Sequence, residues 1–408
     1  MAIPNHKLRA FEFPDGSYPQ PFNVELDDSF LEMTLRKVRD YRPTFGLSDQ
    51  WTVEGPPSRA LIDVADYWST KYSWRSVERK MNDDFNHFAT TVPGSDEYTD
   101  PISFHYIHQR SPNHNAIPLL LLHGWPSTLL EWSKVVRPLG EHLEQSFDIV
   151  APDLPGFGLS PAPKQSGLGP RALARALDAL MLQLGYEKYG IVTTDIGWFI
   201  GMWMVNEVKD SIIGHMTDFF IAPPTPGDRV LQAKGEASTE ESAYIASYDS
   251  WFESHWAYAT VHAQKPLALS QALGDSPVGL LGWYWDVNNS TSDGYEYSFE
   301  QLITDAMMLW IPGPYANCRA YLEFFKPDVM DFPPSRVPTG VSEWGWSKGP
   351  FSKIGDFAFA PMEWVKRTTN LVYFNKHDEG GHFPAICQPD LWVQDVRTFF
   401  GQLREAGA

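Results

Sequence analysis

Apolar residues recur along this chain at two different spacings, and the change between them predicts its architecture. Before about residue 100, helical spacing predicts amphipathic helices starting at Asp28 and covering 60–70 and 74–88, after a short strand at 21–27. From residue 102 onward, short β-branched and leucine-rich runs alternate with helical segments. The predicted strands lie at 103–108, 117–122, 147–150, 190–194, 212–220, 337–342 and 371–374, and the clearest helices at 171–184 and 390–404.

This alternation predicts an α/β fold with a mainly parallel, doubly wound sheet. The strand pattern pauses between residues 223 and 333, where Trp, Tyr and Ala recur at helical spacing. A helical block inserted into such a fold is expected to cover the carboxyl ends of the strands, where these sheets bind ligands. We therefore predict an N-terminal extension at 1–100, a core at 101–222 and 334–408, and a helical lid at 223–333.

Composition narrows the class of protein. Hydrophobic residues make up 43% of the 408 residues and aromatic residues 14%, which is enough for a large globular core. The formal net charge of -19 argues against nucleic acids and anionic membrane surfaces as partners. Because the carboxylates are scattered along the chain, we expect a solvated acidic surface and no focused binding patch.

Cysteine usage and the N-terminal sequence indicate the compartment. Cys318 and Cys387 are the two cysteines of the chain, so the sequence predicts neither a disulfide framework nor a thiolate metal site. The first residues contain no apolar signal core, and no apolar run reaches the about 18 residues that a membrane span needs. The segment 288–291 contains glycosylation sequons, which are common by chance. We therefore expect a cytoplasmic protein without a membrane anchor.

The segment from Tyr189 to Gly201 carries the first candidate for chemistry. A β-branched run ends at Asp195, Gly197 follows, and an apolar, helix-compatible segment comes next. A strand, a tight turn and a helix, with one residue presented at the turn, form the nucleophile elbow of α/β-hydrolases. With Asp at the turn, the expected chemistry is attack by a carboxylate to give a covalent ester. The alternative is that Asp195 only caps the helix N-terminus, a common role for Asp.

A His-Gly turn follows the apolar strand predicted at 117–122. In α/β-hydrolases a turn at this place supplies one backbone N–H of the oxyanion hole, and the residue after the nucleophile supplies the other. Here we expect these N–H groups from Trp125 and Ile196, with Gly124 allowing the tight backbone and His123 ordering its own loop. An ordinary turn would give the same dipeptide, but its place ahead of a candidate elbow favours the functional interpretation.

The late segment His377-Asp-Glu-Gly-Gly-His382-Phe supplies the candidate base. A His after a Gly-Gly turn beyond the last strand stands where these hydrolases place it, in the chain order nucleophile, acid, base. His382 is therefore the predicted base, and His377 is a weaker rival. The acid that orients the base should precede it, and Asp356 and Glu363 are the candidates between residues 345 and 370. Asp356 is preferred because Glu363 looks like a solvent-facing residue in the first turn of a helix.

Motifs along the whole chain carry a resemblance to one family. They are Pro21-Phe-Asn-Val, Asp66-Tyr-Trp and Tyr72-Ser-Trp-Arg in the leader; His123-Gly-Trp-Pro-Ser, Leu154-Pro-Gly-Phe-Gly and Gly380-Gly-His-Phe in the core; and Asp275-Ser-Pro-Val-Gly-Leu-Leu and Val337-Pro-Thr-Gly-Val further on. With these motifs the chain resembles the microsomal-type epoxide hydrolases of the α/β-hydrolase superfamily, particularly their soluble fungal members. The resemblance implies an α/β-hydrolase fold with an inserted helical lid and an N-terminal helical extension. The motifs of the extension and the lid are specific to this branch, whereas the core motifs alone are not.

The resemblance also implies two lid tyrosines that hold the epoxide oxygen. Tyr258, eight residues before Pro266, matches the first, and Tyr321 in Arg319-Ala-Tyr-Leu-Glu matches the second. A phenol O–H can hydrogen-bond the oxirane and then protonate the developing alkoxide. Spacing alone would not have selected these two among the 17 tyrosines of the chain.

The chain departs from the family's usual pattern at the elbow. Thr193 and Thr194 stand where the family usually has glycines, and Trp198 stands where it usually has a small residue. We expect this crowding to narrow the pocket or to shift the oxyanion geometry, which would change the range of substrates.

Together these residues predict an epoxide hydrolase that forms a vicinal diol through an ester on Asp195, which His382 and water then hydrolyse. The resemblance implies an epoxide and water as substrates, and neither a metal nor an organic cofactor. The alternatives are a haloalkane or haloacid dehalogenase, which would need halide donors in place of the tyrosine pair, and a non-catalytic ligand-binding relative. The sequence leaves open the epoxide, its stereochemistry, a role in detoxification, aromatic hydrocarbon catabolism or biosynthesis, and the oligomeric state, a homodimer included.

Overall fold

The computed structural model describes residues 10–14, 16–142, 144–351 and 358–407. These residues form one nine-stranded sheet, whose strands are β1 (Gln20–Pro21), β2 (His87–Val92), β3 (Ile102–Gln109), β4 (Ile117–Leu122), β5 (Phe147–Pro152), β6 (Tyr189–Thr193), β7 (Ile212–Thr217), β8 (Pro338–Trp344) and β9 (Asn370–His377). The spatial order is β1-β2-β3-β5-β4-β6-β7-β8-β9. Pairing is antiparallel from β1 to β5 and parallel from β5 to β9, which confirms the predicted mainly parallel sheet.

Helices precede the sheet, cover its faces and fill the interval between β7 and β8. The N-terminal helices are α1 (Asp28–Arg39), α2 (Trp51–Glu54), α3 (Ser58–Thr70) and α4 (Trp74–Asp84), and those of the first sheet half are α5 (Val136–Gly140), α6 (Pro170–Gln183) and α7 (Asp195–Glu207). The interval contains α8 (Pro226–Lys234), α9 (Thr239–Ser254), α10 (Ala257–Gln264), α11 (Pro266–Leu273), α12 (Pro277–Thr291), α13 (Phe299–Trp310), α14 (Pro314–Phe324) and α15 (Pro327–Met330). The chain closes with α16 (Met362–Val365), α17 (Pro384–Cys387) and α18 (Pro389–Glu405).

The central strands and α7 are apolar because they are covered on both sides. Every residue of β6 is buried, as expected for a parallel strand between two helical layers. In α7, ten consecutive residues from Ile196 to Val205 are buried, so this helix is apolar all round and shows no exposed face along that stretch. Asp195, the first residue of α7, therefore lies at the carboxyl end of β6.

The inserted helices are delimited by polar capping residues and are tied to the core. Reciprocal capping boxes start α8, α9 and α13, formed by Thr225 with Asp228, Ser238 with Glu241, and Ser298 with Gln301. Asp228 also accepts two hydrogen bonds from the Arg367 guanidinium, at 2.7 and 2.8 Å. The same carboxylate therefore caps a lid helix and holds it against the segment before β9. The predicted domain boundaries stay predictions.

The segment predicted as one helix over 74–88 is a helix followed by a strand. The helix ends at Asp84, and β2 begins at His87 and pairs antiparallel with β3 in full register. The helical spacing of apolar residues continues by chance into β2. The backbone N–H and C=O groups of 87–92, however, form hydrogen bonds with β3 and not along a helix. The N-terminal extension therefore contributes strands as well as helices to the sheet. None of the helices in the described ranges is both long and apolar enough to cross a membrane.

A buried chain of hydrogen bonds joins β2 to β3. His87 Nδ1 lies 3.0 Å from His105 Nε2, His105 Nδ1 lies 2.8 Å from Asp153 Oδ2, and His87 Nε2 lies 3.1 Å from Met81 O. The Met81 carbonyl can only accept, so His87 Nε2 carries the proton of that contact. Burial, followed by the charge of His105, lowers the pKa of His87 to about 3, so the His87 ring is neutral and its Nδ1 accepts from His105 Nε2.

We predict that His87→Phe destabilises the fold markedly. The change leaves His105 Nε2 buried without its partner, at a cost of about 1 to 3 kcal/mol, while the Met81 carbonyl keeps its hydrogen bond from Phe85 N. Urea unfolding followed by circular dichroism measures the loss. His114→Phe, at an exposed histidine, is the control and should leave the midpoint unchanged. Equal midpoints for His87→Phe and wild type would contradict a structural role for the chain of hydrogen bonds.

Candidate active site

Asp195 sits at a strained turn between β6 and α7. Its φ is +43°, in the left-handed region that residues with a side chain rarely adopt. A Cβ on Gly197 would lie 2.3 Å from the Leu122 carbonyl oxygen, so this position tolerates only glycine. Thr194 occupies the N-cap position of α7, and the Asp195 side chain points to a different loop. The geometry is that of the predicted elbow, and the helix-capping alternative for Asp195 is wrong.

The turn after β4 fixes one oxygen of Asp195. The Trp125 backbone N–H donates to Asp195 Oδ1 at 2.8 Å. A Cβ on Gly124 would lie 2.3 Å from that same oxygen, which explains the glycine. Ile196 follows Asp195 in the first turn of α7, where backbone N–H groups have no partner within the helix. His123 orders this loop as predicted, since its Nε2 accepts from Leu154 N at 3.0 Å and its Nδ1 donates to Gly124 O at 2.9 Å.

The other oxygen of Asp195 faces the predicted base. His382 Nε2 lies 3.4 Å from Asp195 Oδ2, and both side chains are mostly buried. The preceding Gly380 and Gly381 have φ of 129° and 64°, which a residue with a side chain would adopt only with strain. The His382 backbone N–H donates to the Thr291 carbonyl at the end of α12, at 2.8 Å. His382 is therefore positioned by a helix of the lid as well as by the core.

The rival histidine belongs to a different cluster. His377 Nε2 lies 2.7 Å from Asp395 Oδ2, and its ring stacks on Trp344 at 3.8 Å between centroids. Asp395 also accepts from Tyr373 and Asn375. His377 does not line the cavity that contains Asp195. The structure thus brings His382, and not His377, to the elbow.

The predicted acid, Asp356, lies outside the described residues. Glu363 is exposed and pairs with Lys366 at 2.6 Å, which agrees with the sequence-based interpretation of Glu363 as a solvent-facing helix residue. Two other carboxylates, Asp218 and Glu343, line the cavity with His382. Sequence reasoning missed both, although each stands at the carboxyl end of a parallel strand, where such folds collect functional residues.

Burial dominates the ionisation of these two carboxylates. It raises the pKa of Asp218 to about 6, against the opposing effects of the Thr194 hydroxyl, the Trp392 indole and the charge of His382. It raises the pKa of Glu343 to about 8, even though one carboxylate oxygen accepts from Ala360 N at 2.8 Å. Both groups therefore titrate close to neutral pH, within the cavity wall.

The two predicted lid tyrosines meet over Trp125. Tyr258 on α10 stacks on the Trp125 ring at 5.2 Å between centroids, and Tyr321 on α14 meets it edge-on at 6.0 Å. The Tyr321 side chain is buried, and its ring meets that of Tyr258 edge-on at 6.0 Å between centroids. Burial, and after it the charge of Asp195, raises the pKa of Tyr258 above its ordinary value. Burial likewise raises that of Tyr321, so both phenols stay protonated at neutral pH.

A buried histidine, not foreseen from the sequence, backs the tyrosine pair. His262 Nε2 accepts from Trp283 Nε1 at 3.0 Å, and burial lowers its pKa to about 3. Its neutral ring packs edge-on against Trp125 at 4.7 Å and Tyr321 at 4.9 Å. Its place on α10, one turn after Tyr258, is the signal that could have found it.

These residues enclose an aromatic cavity of about 120 Å³. Asp195, His382, Trp125, Ile196 and both tyrosines line it. Most of the remaining wall is aromatic, and its indole and phenyl rings are Trp251, Trp256, Trp344, Trp346, Phe199, Phe219, Phe220, Phe252, Phe325 and Phe359. The cavity is thus suited to a compact apolar molecule with one reactive polar group.

The unusual residues of the elbow point away from the cavity. Trp198 is buried among phenylalanine rings, 5.2 Å from Phe220 and 5.3 Å from Phe332, and it supports the cavity wall from behind. Thr193 Oγ1 lies 2.7 Å from His215 Nε2 beneath the sheet. Trp198 therefore does not crowd the nucleophile directly, and the Trp125 contact to Asp195 is kept.

Comparisons with known proteins agree with this geometry. Residues 19–132 match the family described as epoxide hydrolase N terminus, and residues 117–313 match the alpha/beta hydrolase fold. Epoxide hydrolase 1 of Sus scrofa is 26% identical over 427 residues, which cover 95% of this chain and 89% of that protein. The solved structure of Aspergillus niger epoxide hydrolase matches with a TM-score of 0.79 and 26% identity, covering 97% of this chain and 100% of that one. The structure of juvenile hormone epoxide hydrolase from the silkworm Bombyx mori, at 24% identity and 98% and 100% coverage, has a TM-score of 0.84 and supports the fold.

We predict that Asp218→Asn stabilises the protein at neutral pH. Below the unfolded pKa of 3.8 the carboxyl is protonated in both states and contributes nothing. As pH rises from 3.8 towards the folded pKa of about 6, the Asp218 carboxyl ionises in the unfolded chain but stays mostly protonated in the folded one. The wild type therefore loses stability over this range. The full loss is about 3 kcal/mol above pH 6.

Urea unfolding at pH 5 and pH 7.5 tests this sign. The advantage of Asp218→Asn over wild type should grow by about 1 kcal/mol between the two values. Asp83→Asn, at an exposed carboxylate, should show no such growth. A constant or shrinking advantage would mean that Asp218 is ionised as easily in the fold as outside it.

Proposed function

We propose that this chain, which belongs to the epoxide hydrolases of the α/β-hydrolase superfamily, converts an epoxide to a vicinal diol through a covalent ester on Asp195. The observation that carries the proposal is the unequal environment of the two carboxylate oxygens. Oδ1 is held by the Trp125 N–H, whereas Oδ2 faces His382 and the cavity. An aspartate held in this way can attack with one oxygen and keep the other in a site built for negative charge.

In the first step, Asp195 Oδ2 attacks an epoxide carbon and the opposite C–O bond breaks. The negative charge leaves the carboxylate and appears on the epoxide oxygen, which Tyr258 and Tyr321 hydrogen-bond and protonate. The charge of Asp195 is one cause of the raised pKa of both phenols, so forming the neutral ester removes part of that effect. Proton donation therefore becomes easier as the new bond forms.

In the second step, His382 activates water for attack on the ester carbonyl of Asp195. The carbonyl oxygen is Oδ1, already in contact with the Trp125 N–H, and the Ile196 N–H at the start of α7 is the second donor. Both donors are backbone groups in place before the reaction, so the oxyanion is stabilised without rearrangement. Collapse of the tetrahedral intermediate expels the diol oxygen, which takes the proton that His382 removed from the water. Asp195 then carries the second proton of the water, and its return to the tyrosine that protonated the epoxide oxygen restores both the carboxylate and the phenol. We assign the acid that orients His382 to Asp356.

The cavity supports an apolar, compact epoxide as the substrate class. Its wall is largely aromatic, and the polar groups at its centre are those named in the two steps. The steps need neither a metal nor an organic cofactor. The cytoplasmic location, the homodimer and a role in detoxification stay predictions.

The central test is to trap the ester with His382→Gln. Without the base, Asp195 still alkylates but the ester is not hydrolysed, so an adduct with the mass of the epoxide should accumulate. Intact-protein mass spectrometry after addition of styrene oxide, followed by peptide mapping, should place the adduct on Asp195. His377→Gln is the matched control, because that ring lies outside the cavity, and it should turn over without an adduct.

Two outcomes would count against the proposal. An inactive His382→Gln variant without any adduct would show that no covalent ester forms. Halide release from haloalkanes, without diol formation from epoxides, would support the dehalogenase alternative.

The tyrosine pair should act on the first step. Tyr258→Phe and Tyr321→Phe should each slow ester formation by at least about tenfold, with ester hydrolysis affected less, because each phenol donates only to the epoxide oxygen. The double variant should lose nearly all activity. Tyr295→Phe is the control, because Tyr295 accepts a hydrogen bond from Gln301 and does not line the cavity. Wild-type alkylation by the double variant would show that another group protonates the oxygen.

A further inference from the structure

Glu343 is a buried carboxyl group in the cavity wall that the two steps above do not use. It stands near the carboxyl end of β8, is 7% exposed, and lines the cavity beside Phe359 and Ala360. Its Oε1 accepts from the Ala360 backbone N–H at 2.8 Å, while its Oε2 has no hydrogen-bond partner among the described residues. Buried polar side-chain atoms nearly always have a partner, so Oε2 is the atom that a bound molecule would satisfy.

The cation opposite Glu343 is engaged elsewhere. Glu343 pairs in register with Lys376 of β9, but the Lys376 ammonium lies 2.9 Å from Glu240 and 5.4 Å from the centre of the Phe359 ring. Burial outweighs the charge of Lys376 and raises the pKa of Glu343 to about 8, so the carboxyl is mostly protonated at neutral pH. Because the Ala360 N–H needs Oε1 as its acceptor, the proton stays on Oε2, which becomes a hydrogen-bond donor.

Strand register gives the separation of Glu343 from the nucleophile. Thr193 of β6 pairs with Thr217 of β7, and Thr217 pairs with Val341 of β8. Asp195 and Glu343 each come two residues after these partners, so their backbones lie two strand spacings apart, about 10 Å. Both side chains line the same cavity. A molecule in the cavity can therefore meet Asp195 with one end and Glu343 with the other.

The wall between the two carboxyl groups is aromatic. Phe219 and Phe220 follow β7, which lies between β6 and β8, and both line the cavity. Trp344, the residue after Glu343, lines it as well. Aromatic groups pack favourably against such rings, either stacked or edge-on. This stretch of the cavity therefore suits a benzene ring that carries one group at each end.

We propose that Glu343 selects epoxides that carry a hydrogen-bond acceptor, such as a carbonyl or ether oxygen, across an aromatic ring from the oxirane. The inference rests on the proposed function and names the substrate class of the same site. The Oε2–H group of Glu343 donates to the acceptor while Asp195 attacks the epoxide carbon at the other end. No bond to Glu343 forms or breaks, so this residue determines specificity and takes no part in the chemistry. Its contact orients the ring along the cavity, with the oxirane directed to Asp195.

The test compares two epoxides that differ only at the acceptor. The ring of para-acetylstyrene oxide carries a carbonyl oxygen, and para-isopropenylstyrene oxide has a CH₂ group in its place. We measure the ratio of their kcat/KM values for diol formation at pH 7. The intrinsic reactivities of the two epoxides cancel when this ratio is compared between enzymes.

Three variants should separate hydrogen bonding from packing. Glu343→Met removes the donor and should lower the ratio by at least about fivefold, because the carbonyl then lies buried without a partner. In Glu343→Gln the Ala360 N–H takes the amide oxygen, so the NH₂ group is the donor, and the ratio should stay within about twofold of wild type. Glu363→Met, at an exposed carboxylate, is the control and should leave the ratio unchanged.

Ionisation supplies a second measurement that needs no methionine variant. Above the folded pKa of about 8, Glu343 loses the proton that it donates, so the wild-type ratio should fall by at least about threefold between pH 7 and pH 9. The ratio of Glu343→Gln should stay constant, since an amide does not titrate in this range. The groups packed around Glu343 are the ion pair of Lys376 with Glu240 and the Tyr244 phenol, whose pKa is raised by burial. Ionisation elsewhere in the cavity acts on both epoxides and cancels in the ratio.

An unchanged ratio in Glu343→Met, or a wild-type ratio that does not depend on pH, would overturn the inference. So would a wild-type preference for para-aminomethylstyrene oxide that Glu343→Gln loses, because an ionised carboxylate would then be binding a cation. Ester trapping in His382→Gln with the same two epoxides tests the proposed function separately. An adduct there with an unchanged ratio in Glu343→Met leaves the function standing without the specificity role, whereas no adduct with either epoxide removes both.

Discussion

The constraint on which this site depends is the left-handed backbone of Asp195. Such a conformation costs of the order of 1–3 kcal/mol for a residue with a side chain and persists only where the surroundings hold it. Here the fully buried β6 and the buried, apolar α7 hold the turn from both sides. Gly197 and Gly124 allow the β4 strand end and the following turn to approach within contact distance. The strain thus turns the carboxylate outward, against the Trp125 N–H.

One consequence is that the two oxygens of a symmetric carboxylate become chemically different. Oδ1 is fixed by a backbone donor and Oδ2 is left to face His382. The difference is set by the sheet, but the position of the base also depends on the lid. Asp293, just after α12, accepts from Gly380 N at 2.9 Å, and the end of α12 accepts from His382 N. The lid therefore encloses the cavity and also fixes the position of His382 within it.

The parts of this arrangement that sequence could predict are those encoded by neighbouring residues. The elbow at Asp195 and the Gly-Gly turn before His382 each depend on local backbone geometry, and both lie where the sequence places them. The environment of Asp218 could not be predicted because it depends on Trp392 of α18, which lies 174 residues further along the chain. The spacing of apolar residues in β2 predicts a helix, because only the pairing with β3 distinguishes a strand from a helix in this segment. Tyr258 and Tyr321 have no local signature, so only resemblance selected them.

The abundance of indole rings around the cavity has an optical consequence. Of the 16 tryptophans in the chain, Trp125, Trp251, Trp256, Trp344 and Trp346 line the space next to Asp195. Trp125 donates its backbone N–H to Asp195 and lines the same cavity, so the proposed neutral ester would remove a negative charge from the surroundings of this residue. Emission from an indole responds to nearby charge and polarity. In the proposed mechanism, the formation and the hydrolysis of the ester on Asp195 would therefore each change the indole emission, without any label on the substrate.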